Sequence, residues 1–131
     1  MADVAQALYS ILSGDSDVSS LVSSRIYPHQ LPQAPTYPAI TYKLVSLGER
    51  PHAMGSDPSV VQDRYQVDAW AESYSAMVDL DDKIMSALSR YSGTAAGVTI
   101  QGIFHVNRVD LFEDDVRVYH RAIDFEIWWE E

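Results

Sequence analysis

The sequence predicts an α+β fold: a mostly antiparallel β-sheet with helices packed on one face, a single two-layer domain over residues 1–131. Three observations carry this expectation. Apolar residues recur with a helical period at the N-terminus and again over residues 74–91. Around the second helical stretch lie segments in which apolar and polar residues alternate with period two, the pattern of half-buried antiparallel strands. No repeat, low-complexity tract or linker divides the chain, and 131 residues is the length of one ordinary domain.

The elements follow in order. Asp3 is placed to cap a helix whose apolar positions are Val4, Ala5, Leu8, Ile11 and Leu12, and Gly14 is expected to end it in the left-handed conformation. Asp15 or Asp17 then caps a short second helix carrying Val18, Leu21 and Val22, which frays at Ser23-Ser24. Arg25-Ile26-Tyr27-Pro28 leads into a loop punctuated by Pro28, Pro32, Pro35 and Pro38, extended but excluded from a central strand because proline lacks the N–H donor. Residues 39–47 read as the first strand, around Ile40, Tyr42 and Leu44. Residues 48–59 are polar and broken by Pro51, Gly55 and Pro58, the composition of a loop or long hairpin tip. Residues 60–70 resume period two, with Val61, Tyr65, Val67 and Ala69 on one face and Gln62, Arg64, Gln66 and Asp68 on the other. Ser73 caps the main helix, residues 74–91, with Met77, Val78, Ile84, Met85 and Leu88 on its apolar stripe and Gly93 as its stop. Asp79, Asp81 and Asp82 fall in its first half, where carboxylates favour the helix dipole, and Arg90 in its last turn. Residues 98–100 form a short extended piece and Gly102 a bend. Two long strands follow, residues 103–112 and 116–129, joined by the acidic turn Glu113-Asp114-Asp115.

Composition limits the function. Nineteen acidic against nine basic residues give a formal charge of −10, which argues against binding nucleic acid by neutralising phosphates. The absence of cysteine removes disulfide frameworks, thiolate metal sites and cysteine nucleophiles together and permits a cytoplasmic setting. No apolar run approaches the ~20 residues of a membrane helix, and Met1-Ala2-Asp3 lacks the basic region of a signal peptide.

No catalytic constellation emerges. Of the four histidines, His29, His52, His105 and His120, none belongs to an HExxH or helical metal-binding pair. His105 and His120 fall on adjacent strands, where they are either a metal or acid–base pair with Asp110 or Asp124, or ordinary strand residues facing solvent. Asp79 and Asp82 share a helix face but are expected to serve capping and solubility, and Glu113-Asp114-Asp115 to form a turn. No GxSxG occurs, and Gly93-Thr94-Ala95-Ala96-Gly97 lacks the lysine and context of a phosphate loop. Catalytic, cofactor and metal residues are therefore assigned as none. In a strand Trp128 and Trp129 point to opposite faces, so one of them is a candidate interface aromatic.

The opening helix, then Val18-Ser19-Ser20-Leu21-Val22, Arg25-Ile26-Tyr27-Pro28 and the Pro-rich stretch into Tyr37-Pro38-Ala39-Ile40-Thr41-Tyr42, resembles the tail completion, or tail terminator, proteins of long-tailed bacteriophages. Gln66-Val67-Asp68-Ala69-Trp70-Ala71 running into an Asp-rich helix, and the aromatic final strand, extend the resemblance over nearly the whole chain. It implies a structural virion protein without enzymatic activity or cofactor. Such a subunit forms a ring, a hexamer, on the head-proximal end of the tail tube and joins it to the head connector. The implied partners are further copies of itself, the tail-tube protein and a head–tail connector or neck protein. Double-stranded DNA passes through without specific binding, no membrane is involved, and the protein is made in the bacterial cytoplasm. Residues 48–59, with Glu49, Arg50, His52, Met54 and Asp57, are then expected at a subunit or tube contact, and the final strand as a donor to a neighbouring sheet through Phe125 or Trp129. The acidic charge either repels DNA from the ring wall or confers solubility alone. The competing readings are a neck component on the portal side and a small ligand-binding or hydrolase-like α+β domain using His105 and His120.

Overall fold

A computed structural model describes residues 3–47 and 60–130; the loop assigned to residues 48–59 lies outside the described residues. Helix α1 (Val4–Gly14) begins where the Asp3 carboxylate accepts the Ala5 N–H, and it buries Val4, Ala7, Leu8 and Leu12. It does not end on a left-handed glycine. Gly14 is its last residue, and extended Asp15 closes it by donating its N–H to the Leu12 carbonyl at 3.3 Å. The same residue starts α2 (Ser16–Val22), its carboxylate accepting from the Asp17 and Val18 N–H groups, both at 3.0 Å. Two helices thus share one hinge residue, which fixes their corner. Asp15→Ala is expected to lower stability by about 1 kcal/mol, measured as a shift of the urea unfolding curve; an unchanged curve would show the cap to be idle.

The chain continues through β1 (Ile26–Pro28), β2 (Ala39–Leu47), β3 (Val60–Ala71), α3 (Tyr74–Leu88), β4 (Gly93–Ala95), β5 (Val98–Glu113) and β6 (Val118–Glu130). The Tyr37–Pro38 peptide, just before β2, is cis. The strands form one sheet in the order β1-β2-β3-β6-β5-β4. The α+β class holds and the sheet is mixed: β1 runs parallel to β2, whereas the remaining pairings are antiparallel. Three-residue β1 and β4 are too short to leave a periodic pattern, and both take their strand character from longer neighbours.

Two boundaries differ from expectation. Helix α3 stops at Leu88 rather than near residue 91, because Arg90 adopts a positive φ of 64° and donates its N–H to the Ile103 carbonyl at 2.7 Å. A tertiary hydrogen bond to β5 thus takes over from the helix. Gly102 lies inside β5 rather than bending the chain between two strands; the register shifts there, between Ile100 and Gly102, and again between His105 and Asn107. The Phe104 ring lies against Gly102 so closely that a Cβ would stand 2.8 Å from it.

The final strand is the largest departure. β6 pairs with β3 from Glu130 to Tyr119 and with β5 from Glu130 to Val118, so both its edges are taken within the subunit. It cannot donate an edge to a neighbour. Phe125 is fully buried among Ile123, Ile127, Val67 and the α3 residues Met77, Leu80, Ile84 and Leu88 in one apolar core. Trp129 is also buried, its Nε1–H donating to Asp63 at 2.8 Å, while Trp128 on the opposite face is 39% exposed.

Candidate assembly interface

Where strands lack neighbours, the sheet has two open margins. At one side, β1 pairs with β2 only at Ile40, Thr41 and Tyr42; among the described residues nothing pairs with residues 43–47 there. Leu44, Val45 and Leu47 are exposed on this stretch. At the other side, β4 covers β5 only at Val98, Thr99 and Ile100, and Arg90 takes the Ile103 carbonyl. Beyond that point, among the described residues, residues 104–113 form an open edge bearing Phe104, Val106, Val109, Leu111 and Phe112, all exposed. A long apolar edge of this kind is a template for another strand.

The bulges decide which side chains stand together. Register places Phe104 beside Glu126, Asn107 beside Asp124, and Val109 beside Ala122, on the face of the sheet turned away from α3. Trp128 is on that face, its Nε1–H donating to Glu126 at 2.9 Å. Gln101, Gly102, Phe104 and Trp128 line a depression of about 300 Å³ at this end of β5. It exists because Gly102 has no side chain to fill it and Phe104 folds over the glycine.

The outer half of β5 is held from both faces. Toward α3, Arg121 donates to buried Asp81 at 2.8 Å and to Asp110 at 2.6 Å, while Arg108 lies 3.6 Å from Asp81. One guanidinium therefore ties helix, central strand and edge strand, a geometry suited to its fixed fork of donors. The hydrogen bond from Arg121 holds the Asp110 carboxyl below its ordinary value of 3.8, and the same bond raises the Arg121 guanidinium above its usual range. Because the folded-state value of Asp110 is depressed, its contribution is complete above the unfolded value and is lost as pH falls through the folded one. Urea midpoints of wild type are therefore expected to fall more steeply between about pH 5 and pH 2 than those of Asp110→Asn; parallel curves would remove the contact from the account. Around the same end Phe112 packs tilted on Tyr119 at 4.9 Å, with Arg117 over the Phe112 ring at 5.7 Å.

On the opposite face, His120 is stacked on Trp70 at 3.8 Å, its Nε2 3.0 Å from Asp68 and its Nδ1 3.7 Å from Glu113. Neither ring nitrogen makes a hydrogen bond. Asp68 is satisfied by the Thr41 hydroxyl at 3.1 Å and the Gln66 amide at 2.7 Å.

These positions dissolve the suggested histidine pair. His120 is opposite Leu111 and His105 opposite Phe125, roughly 17 Å apart along the strands and on different faces. The His105 ring meets Phe125 edge-on, on the core side. Asp110 engages Arg121, and Asp124 accepts from Arg64 at 2.6 Å. His29 is exposed after β1, and His52 lies outside the described residues. Asp79 and Asp82 are exposed as expected, but Asp81 is buried at 2% and belongs to the Arg121 network, not to the solvated face. Among the described residues no group of three His, Asp or Glu is arranged to hold a metal ion. A depression of about 490 Å³ between α1, α3 and β4 has Asp15 as its one carboxylate, already engaged in capping α2. Among the described residues no helix is long and apolar enough to cross a membrane.

The sequence held a signal for the network that residue-type inspection passes over. Asp81 lies on the α3 stripe Met77, Ile84, Leu88, and Arg121 on the β6 row Tyr119, Ile123, Phe125. Opposite charges in two apolar phases suggest that they meet. The open β5 edge had no comparable signal, since strand order is not written in local periodicity.

Comparison with known proteins agrees with this architecture. The family profile described as tail completion protein gp17 matches residues 6–130. A solved structure titled as the virion of a native gene transfer agent particle superposes with a TM-score of 0.75 at 12% identity, covering 95% of this chain and 92% of that one. A second solved structure, whose title carries no functional description, superposes with a TM-score of 0.65 at 8% identity, covering 98% and 94%. At such identities the likeness concerns the fold. No curated protein matches the chain.

Proposed function

The chain belongs to the tail completion protein gp17 family, and from that membership we propose that it is a phage-tail structural subunit that closes into a ring on the head-proximal end of the tail tube. In this reading the whole chain acts as one domain. The sheet forms the wall of the ring, the helices back it from one side, and the ring stops tube growth and presents a surface to the head connector. The action is assembly, not catalysis.

The observation that carries the reading is the pair of open, apolar margins at opposite sides of one sheet. Different patches meeting head to tail generate a closed ring when the rotation between copies closes. A net charge of −10 suits a ring through which DNA passes without adhering, since like charges repel within about 8–10 Å at physiological salt.

Light scattering after size exclusion, alone and with polymerised tail-tube protein, tests this. The expected result is a closed ring of about six copies, or capture of the subunit at tube ends. A folded monomer that ignores tubes but binds portal assemblies would move the protein to the neck; one that binds neither would remove the assembly reading.

A further inference from the structure

We propose that the open β5 margin of one copy receives the open β2 margin of the next, continuing the sheet across the subunit boundary as an antiparallel ladder; this rests on the ring reading above. Strand direction supports it. Because β2/β3, β3/β6 and β6/β5 are each antiparallel, β2 and β6 run one way and β3 and β5 the other. A copy rotated about an axis along the strands therefore presents its β2 antiparallel to the β5 of its neighbour. That is the pairing with hydrogen bonds perpendicular to the strands and the more stable of the two ladder types.

The occupant is fixed by charge as well as by direction. Lys43 is the one charged residue on residues 43–47, and its register with Gln66 places it on the face turned away from α3. Glu126 stands on the same face beside Phe104, one strand in from the open β5 edge. Pairing β2 to β5 brings the Lys43 cation toward Glu126 in a chain that otherwise repels its copies, whereas β5-to-β5 pairing adds no cation near that carboxylate. Both margins carry exposed apolar side chains, Leu44, Val45 and Leu47 on one and Phe104, Val106, Val109 and Leu111 on the other. In a shared ladder Leu44 and Leu47 lie on the α3 side and Phe104, Val109 and Leu111 on the other, so each set gains cross-strand neighbours on its own face. Such edges left open are an aggregation hazard, which pairing between copies removes.

Because the protein has no cysteine, introduced thiols report the contact without background. Ser46 faces away from α3 through its pairing with Arg64, as do Phe104, Asn107, Val109 and Leu111 on β5. Full-length Ser46→Cys is mixed in turn with Phe104→Cys, Asn107→Cys, Val109→Cys and Leu111→Cys under ring-forming conditions and oxidised. At least one mixture is expected to give a covalent heterodimer, because paired strands bring Cβ atoms within disulfide range, while each variant alone stays unlinked. Lys43→Glu is expected to raise the concentration needed for ring formation about tenfold with unchanged circular dichroism. Rings that form while all four mixtures stay unlinked would overturn the margin pairing and leave the ring intact. Self-linking of single variants would overturn it in favour of a two-fold contact. A folded wild type that forms no ring, even with tube present, would instead defeat the ring reading itself.

Discussion

Phe125→Ala is expected to lower the unfolding free energy by about 3–5 kcal/mol, and Phe125→Asp to leave no folded protein. The side chain is fully buried at the centre of the only strand that has a full-length neighbour on each side among the described residues. Truncation removes its burial and leaves a cavity bounded by Ile123, Ile127 and the α3 stripe, which a sheet clamped on two sides cannot close by relaxing. A domain of this size has about 5–15 kcal/mol to lose, so the alanine variant unfolds at much lower urea. Trp128→Asp, three residues along, is the control: Trp128 stands on the opposite face and is exposed, so this variant keeps the wild-type unfolding midpoint within about 0.5 kcal/mol. Equal losses in Phe125→Ala and Trp128→Asp would mean that β6 is not the centre of the core.

Arg121→Ala is expected to destabilise by about 3 kcal/mol, because it strands a buried carboxylate. Asp81 is 2% exposed, and without Arg121 its remaining cation is Arg108 at 3.6 Å. Asp110 loses its partner too, although its exposure makes that loss small. The double variant Asp81→Leu/Arg121→Met is expected to be milder than Arg121→Ala, since an apolar pair leaves no buried charge unsatisfied. Urea unfolding of the two variants decides the matter. A double variant as damaged as Arg121→Ala would show that shape, not charge pairing, holds α3 to β5 and β6.

The elements that repeat long enough to show a period were legible. β2 runs over Ala39–Leu47, as read from the alternation of Ile40, Tyr42 and Leu44, and β3 extends the reading of residues 60–70 by one residue, to Ala71. Caps at Asp3 and Ser73 were legible, and that of α2 as Asp15 or Asp17, of which the structure selects Asp15, because a carboxylate or hydroxyl before an apolar period has a local use. The ends of α1 and α3 were not. Gly14 permits a left-handed stop that Asp15 made unnecessary, and Arg90 left α3 for a hydrogen bond to Ile103, a residue thirteen positions away. The aromatic C-terminal segment was recognised as a strand, but its role was inverted: Trp128 is the exposed tryptophan, and Phe125 and Trp129 are core.

By itself, then, the sequence determined the α+β class and most of the long elements, because period and capping act over a few residues and are recorded where they act; it divided β5 at Gly102 and did not show that Asp81 is buried. It also carried the family resemblance, drawn from Arg25-Ile26-Tyr27-Pro28 and its spacing to Tyr37-Pro38, and the family profile matches residues 6–130. The tertiary structure alone decided which strands are central and which are open. That depends on pairings between segments as distant as Val60 and Glu130, and on bulges at Gly102 and after His105 that reset which β5 side chains share a face. Backbone hydrogen bonding is the same for every residue type but proline, so an edge strand and a central strand can share one pattern. Strand order therefore leaves no local mark, and strand order is what exposes residues 43–47 and 104–113 to a neighbouring copy.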